Sequence, residues 1–554
     1  MLLEKALIGS MLGFAATSAT AHIIATDEVP LLGPSFLSNF DPSNSTSIGN
    51  AKTKFPGLVD DLFSAGKLNR TDLTFSIDVF SAATNRSIYR YSHVGEDAKK
   101  ALTTGVFDDK TVSRIGSVTK LFTVYAIIAK AGIEIFSDPV TKHLPELAGN
   151  SSSNPLQRIR WEDITVGALA SQQAGSGGAA AWALPDSRTQ TFSSTSATRS
   201  PPVISPWRNA VYSDGGFAIL GQLLARISGK TFTEAIQEIL FDPLGMENSS
   251  TKAPKGSDIN VVDRSTIDNS SSWGLDAEIV ASTGGMHSNN ADLRTAGLAI
   301  LNSEILSQAT TSEWMKPRSG TGSLVELVGA PWEITRLEIP VTPGSNRTRI
   351  SDLYTKAGGN GDYTAIFALS PDQGIGFSIL VAGGTATPAR WPLRNAVGET
   401  FIPAAEHAAA ENAKRNLVGT FVDKRTPSTN LTLTLDKGRP GLGLKSMWVN
   451  GTSYVDSPYT RVYPTGLSSI STSLSSLYRV KGAQSLAHRM VLPDLPLKPR
   501  AAVEGGKGGL FDNQFTWMNI DFAGPFDELI FDLVDGKLVS IQYPVTGAVF
   551  KRIH

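Results

Sequence analysis

Cysteine is absent from all 554 residues. Disulfides therefore contribute nothing to stability, and a cysteine nucleophile or a cysteine-ligated metal is excluded. An excess of either charge is missing too: 50 Lys and Arg stand against 51 Asp and Glu, a net charge of −1. That balance gives no electrostatic reason to expect nucleic acid or an anionic membrane as partner, and a small-molecule substrate is the expectation. The seven histidines show no His-Glu-X-X-His or comparable spacing, and there is no Gly-X-Ser-X-Gly elbow. A histidine-based serine triad is unsupported, and neither metal nor cofactor is expected. No segment is apolar for long enough to span a bilayer.

What is present begins at the N-terminus. Lys5, the mostly apolar stretch from Ala6 to Ala16 and the small-residue pattern Ala19-Thr20-Ala21 read as a signal peptide over 1–21, with His22 as the mature start. Nine Asn-X-Ser/Thr sequons agree with passage through the secretory pathway: Asn44, Asn69, Asn85, Asn150, Asn248, Asn269, Asn346, Asn430 and Asn450. The expected location is outside the cell or in a secretory compartment.

The length demands more than one core. Leu73–Ser81 alternates apolar and polar residues and reads as a strand, as does Arg86–Tyr91. The run LFTVYAIIAKAG reads as a buried helix, and Phe217–Ile227 as a helix stopped by Ser228-Gly229. Residues 149–155 and 186–202 read as loops. Strands return at Tyr363–Leu369 and Gly376–Gly383. Residues 402–416 read as a helical linker, followed by short alternating strands such as Asn430–Leu435, Leu529–Leu533 and Leu538–Tyr543. The expected division is a leader over 1–21, a mixed helix-and-sheet domain over 22–410 and an all-β domain over 411–554, best fitted by an eight-stranded barrel.

Ser-X-X-Lys occurs three times, at Ser64/Lys67, Ser117/Lys120 and Ser249/Lys252. Only Ser117 opens a long apolar helix. Residues three apart share a helix face, so Lys120 can reach the Ser117 hydroxyl. The helix start favours a developing oxyanion, and an apolar surround favours a neutral amine able to act as base. Ser117 could instead merely cap the helix, with Lys120 in solvent. Two further motifs argue against that: Tyr212-Ser213-Asp214 before one helix, and Lys356-Ala357-Gly358-Gly359 before a strand.

In this order the motifs resemble the serine β-lactamase and penicillin-binding-protein superfamily, particularly its class C-like branch. Segments such as DPVTKHLPEL (138–147), FDPLGM (241–246), GGMHSNNADL (284–293) and SPDQGIGFSILVAGG (370–384) are similar to family segments in the same sequence order, over roughly residues 70–400. The resemblance implies an α/β (α+β) fold, an antiparallel sheet flanked by helices with a helical subdomain. It implies Ser117 as nucleophile, Lys120 as its activator and Tyr212 as acid/base, its phenol positioned by Lys120 and Lys356. Lys356 would hold a substrate carboxylate or polarise Tyr212, and the amides of Ser117 and Gly359, with Gly358 beside them, would form the oxyanion hole.

Departures limit the substrate. Asp214 stands where Asn is usual, Ala357 where Thr or Ser is usual, and Gln172-Gln173-Ala174-Gly175 where relatives often have His-Thr-Ser-Gly. An ionised Asp only accepts hydrogen bonds, which disfavours β-lactam hydrolysis. Asp214 could tune Lys120 or simply cap the following helix. Fungal secreted esterases, peptidases and acyltransferases of this fold are the better analogies. The expected chemistry is hydrolysis of an ester, thioester or amide through acyl-Ser117; acyl transfer to an alcohol or amine, and a non-catalytic binding protein, are the alternatives.

Overall fold

A computed structural model describes residues 33–148, 153–177, 201–276, 278–455, 460–469, 482–491 and 525–553. The expected leader with His22, the Asn150 sequon and most of the 149–155 and 186–202 loops lie outside these residues.

The first core is built on an eight-stranded antiparallel sheet. Its strands are β1 (Thr74–Ser81), β2 (Arg86–His93), β3 (Ser319–Gly320), β4 (Glu326–Val328), β5 (Glu333–Pro340), β6 (Thr348–Asn360), β7 (Tyr363–Ser370) and β8 (Ile375–Ala382), in the order β2-β1-β8-β7-β6-β5-β4-β3. The central strands β1, β7 and β8 are buried along their whole length. Phe75, Ile77 and Val79 of β1 and Phe377, Ile379 and Val381 of β8 enter one hydrophobic layer. Phe80, Phe367 and Leu369 enter the other. This two-sided burial is the period-2 alternation of a sheet covered on both faces.

Helices supply the covers. On one face lie α1 (Thr46–Ser64) and a long helix described below; on the other lie α2 (Thr119–Ala131), α3 (Asp214–Ser228), α4 (Glu278–Gly284) and α5 (Asn290–Leu301). Helix α2 buries every residue from Thr119 to Ile128, which accounts for its lack of a polar face. Gly132, at φ 77°, turns the chain away after it, and Gly229 ends α3 in the left-handed conformation. Helix α4 packs closely on α3: Ser282 donates to the Phe217 carbonyl at 2.9 Å, and a Cβ on Gly221 would collide with Ser282.

The segment expected as a linker is the second half of α6 (Ala386–Asn416), a continuous helix of 31 residues. It is not an exposed connector. Ala386 to Ala408 contribute to the sheet's hydrophobic layer, while Ala409, Ala410 and Ala413 enter the core of the second unit.

That unit is a closed barrel of β9 (Gly419–Val422), β10 (Asn430–Thr434), β11 (Leu442–Val449), β12 (Arg461–Ser468), β13 (Ala483–Val491), β14 (Glu528–Val534), β15 (Lys537–Tyr543) and β16 (Ala548–Arg552). Each strand pairs antiparallel with the next, and β16 pairs back onto β9. Closure removes free sheet edges. Phe421, Leu431, Leu444, Met447, Phe531, Ile541 and Phe550 fill the interior, so this barrel is a packed core.

Candidate active site

Ser117 lies in a 3₁₀ turn (Gly116–Val118) that leads directly into α2. The turn is pressed against β6. Gly116 has φ +52°, and a Cβ there would come within 2.6 Å of the Gly359 nitrogen. A Cβ on Gly358 would come within 2.9 Å of the Ser117 nitrogen. Only glycine fits such a close approach of backbone to backbone. The Ser117 amide and the Gly358-Gly359 backbone therefore share one small region, where the resemblance implies an oxyanion hole.

Lys120 is fully buried, and its ammonium meets three acceptors: Ser117 Oγ at 3.0 Å, Asp214 Oδ1 at 2.5 Å and the Thr283 carbonyl at 2.6 Å. The apolar surround expected from the sequence is thus a polar cage. Its walls come from α3 and α4, with the Phe217 ring centroid 5.5 Å from the ammonium. The two readings of Asp214 also separate. Ser213 caps α3, its Oγ accepting from the Gly216 amide at 3.0 Å, and the Asp214 carboxylate is free to pair with Lys120.

Tyr212 is about half exposed (48%), with the ammonium of Lys120 at 5.0 Å and that of Lys356 at 5.4 Å from its ring centroid. The sequence reading had the phenol positioned by both lysines. Among the described residues neither lysine hydrogen-bonds to the Tyr212 hydroxyl; both lie against the ring. What fixes Tyr212 is Gln172, which the sequence marks only as part of a departure from the family pattern. Its backbone carbonyl accepts from the Val211 amide at 2.7 Å and its side-chain oxygen from the Ser213 amide at 2.8 Å, gripping the chain on either side of Tyr212.

Lys356 is buried on β6 and paired with a second unforeseen residue, Glu333 at the start of β5. One Glu333 oxygen accepts from Lys356 Nζ; the other accepts from the Ala357 amide at 2.8 Å. Burial alone would favour the neutral amine, but Glu333, aided by Tyr212 and Asp214, holds Lys356 above the usual lysine value.

The other two Ser-X-X-Lys pairs are elsewhere. Ser64 ends α1, and Ser249 is buried in hydrogen bonds to Ser288 and Asp292. Of the described sequon asparagines, Asn44, Asn69, Asn85, Asn269, Asn346 and Asn450 are exposed, while Asn248 and Asn430 are half-buried. No group of His, Asp and Glu able to hold a metal occurs among the described residues, and no described helix is long and apolar enough to cross a membrane.

Residues 84–398 match the family model for beta-lactamase. This chain belongs to the beta-lactamase family. Residues 409–554 match a second family, the beta-lactamase-like C-terminal domain, so the barrel is the companion domain of the beta-lactamase fold. A beta-lactamase-like protein of Arthroderma benhamiae is 26% identical, covering 91% of this chain and 92% of that one. A probable hydrolase of Cochliobolus lunatus is 23% identical over 67% of this chain and 66% of its own. Among solved structures, an octameric penicillin-binding protein homologue from Pyrococcus abyssi matches at 18% identity and a TM-score of 0.47, covering 80% of this chain and 96% of the other.

Proposed function

We propose that this beta-lactamase-family chain is a serine hydrolase that cleaves an ester, thioester or amide through an acyl-Ser117 intermediate. One observation carries the reading: Lys120 Nζ lies 3.0 Å from Ser117 Oγ in a buried cage that fixes both groups. Ser117 Oγ adds to the substrate carbonyl, and its proton passes to Lys120 or Tyr212. The amides of Ser117 and Gly359 take the developing oxyanion. The carbon–oxygen, carbon–sulfur or carbon–nitrogen bond to the leaving group breaks, the proton going to that group. Water then repeats the sequence in reverse and frees Ser117. Retention of Ser117, Lys120, Tyr212 and Lys356 in one place supports catalysis over binding alone, and hydrolase names among the relatives agree. The leader-like start and the exposed sequons support a secretory location for this chemistry.

The test is intact-mass analysis after treatment with a fluorophosphonate. The expected result is a single adduct on the native chain and none on Ser117→Ala, with ester turnover reduced on the order of 10³-fold or more in that variant. Labelling that survives in Ser117→Ala would overturn the assignment.

A further inference from the structure

Both lysines of the site pair with carboxylates that are more exposed than they are. Lys120 is fully buried while its partner Asp214 is 27% exposed; Lys356 is 2% exposed while its partner Glu333 is 40% exposed. In each pair the anion is the outward member. The carboxylates are the solvent-accessible members of these pairs.

Glu333 goes further than neutralising a charge. Its two oxygens take two separate donors, the Lys356 ammonium and the Ala357 amide. This is how a bound carboxylate would be held, and the chain supplies that carboxylate itself. A second Lys356 proton goes to the Ala357 carbonyl at 2.9 Å. Ala357 carries no hydroxyl that could offer a further donor. A substrate anion at this wall would lose its hydration without gaining a free partner, and it would face a fixed like charge.

We propose that Glu333 is a specificity residue that excludes substrates carrying a carboxylate beside the reacting bond, so that the enzyme takes neutral acyl compounds. The proposal rests on the acyl-Ser117 reading and names its substrate class. The competing cations are Arg390 and Arg394, both within electrostatic reach of Glu333; the Arg390 guanidinium donates to the Gly358 carbonyl at 3.0 Å and to Thr364 Oγ1 at 3.1 Å. Those bonds tie the Arg390 guanidinium to the protein, and the site would attract anions only if Arg390 and Arg394 outweighed Glu333.

A pair of phenylacetate esters decides between them: the phenyl ester, and the 3-carboxyphenyl ester, which differs only by an anion on the leaving group. The quantity read is the ratio of their kcat/KM values, neutral over anionic. The wild-type ratio is expected to be at least ten, falling with added salt as the repulsion is screened. Glu333→Gln keeps the shape and removes the charge, and is expected to lower the ratio by a further factor of ten or more. A Glu333 that served only to tie β5 to β6 would change both esters alike and leave the ratio unmoved. A wild-type ratio near or below one, or an unmoved ratio in Glu333→Gln, overturns the proposal; the wild-type measurement decides even if the variant does not fold. Absence of fluorophosphonate labelling at Ser117 overturns the hydrolase reading and this proposal with it, whereas a labelled enzyme that accepts both esters equally overturns the proposal alone.

Discussion

An ammonium has three N–H donors and no lone pair, and the three acceptors around Lys120 use all of them. In that state Lys120 orients Ser117 but cannot take its proton. On the acyl-Ser117 proposal, either Lys120 first loses a proton or the Ser117 proton goes to Tyr212, whose ring lies against both lysines. The proposal has Lys120 and Tyr212 share one proton path, and effects within such a unit do not multiply. Lys120→Ala and Tyr212→Phe are each expected to lower kcat/KM on the order of 10³-fold, and the double variant to be at most a few-fold worse than the weaker single. Full multiplication of the two losses in steady-state assays would show separate proton paths. Lys120→Ala also leaves Asp214 without its cation, so the comparison should be made on protein whose thermal transition confirms folding.

Elements bring these residues together through contacts that sequence spacing does not encode. Ser117 and Lys120 are legible because three residues along a helix bring them onto one face. Gln172 and Glu333 are not, because their roles depend on a loop crossing Tyr212 and on how β5 pairs with β6. The only trace of Gln172 in the sequence was a departure from the family pattern, and that departure marked the residue which grips Tyr212. The same cross-element logic holds the sheet to its long helix. Arg349 on β6 is 1% exposed and makes a two-point pair with Glu406 on α6, which is 4% exposed; Gln373 also donates to Glu406 at 2.7 Å. Burial alone would raise the Glu406 carboxyl, but Arg349 outweighs it and holds the group below its ordinary value of 4.5. A carboxyl lowered on folding stabilises the protein fully above that ordinary value, and the contribution is lost as pH falls through the folded value. Glu406→Ala leaves the buried Arg349 guanidinium with the partly exposed Asp372, at 2.8 Å, as its remaining carboxylate partner and is expected to cost about 3 kcal/mol at pH 7. In urea unfolding that deficit should begin to shrink as pH falls below 4.5 and be lost as pH passes through the lowered folded value. A deficit that stays constant with pH would place the damage in packing, not in the ion pair.

At the scale of the molecule, the barrel was visible as short alternating strands, while the antiparallel sheet with its helices came from the resemblance that the ordered motifs carry. The relation between the two cores was not visible. An Ala- and Glu-rich stretch reads as a helical linker, and alanine suits an exposed helix and a buried one equally well. In the structure the alanines of α6 are the small residues that let one helix lie against two cores, first the sheet layer and then the barrel interior. Phe36, from the segment before α1, joins Ala409, Ala410 and Ala413 in the barrel's core and adds a second tie. A cut near 405–416, natural for a linker, is therefore not expected. Lys414 and Arg415 have exposed side chains, but their backbone is within the helix, and a protease needs that backbone extended. Limited trypsin digestion of the native chain should leave the Lys414–Arg415 region intact. Because α6 cannot leave one core without disturbing the other, calorimetry should show one cooperative transition for both units. Ala413→Asp, which buries an unpaired carboxylate in the barrel, is expected to lower that single transition as a whole by several kcal/mol. Two resolved transitions, with only one of them moved by Ala413→Asp, would instead make the barrel an independent domain hinged at α6.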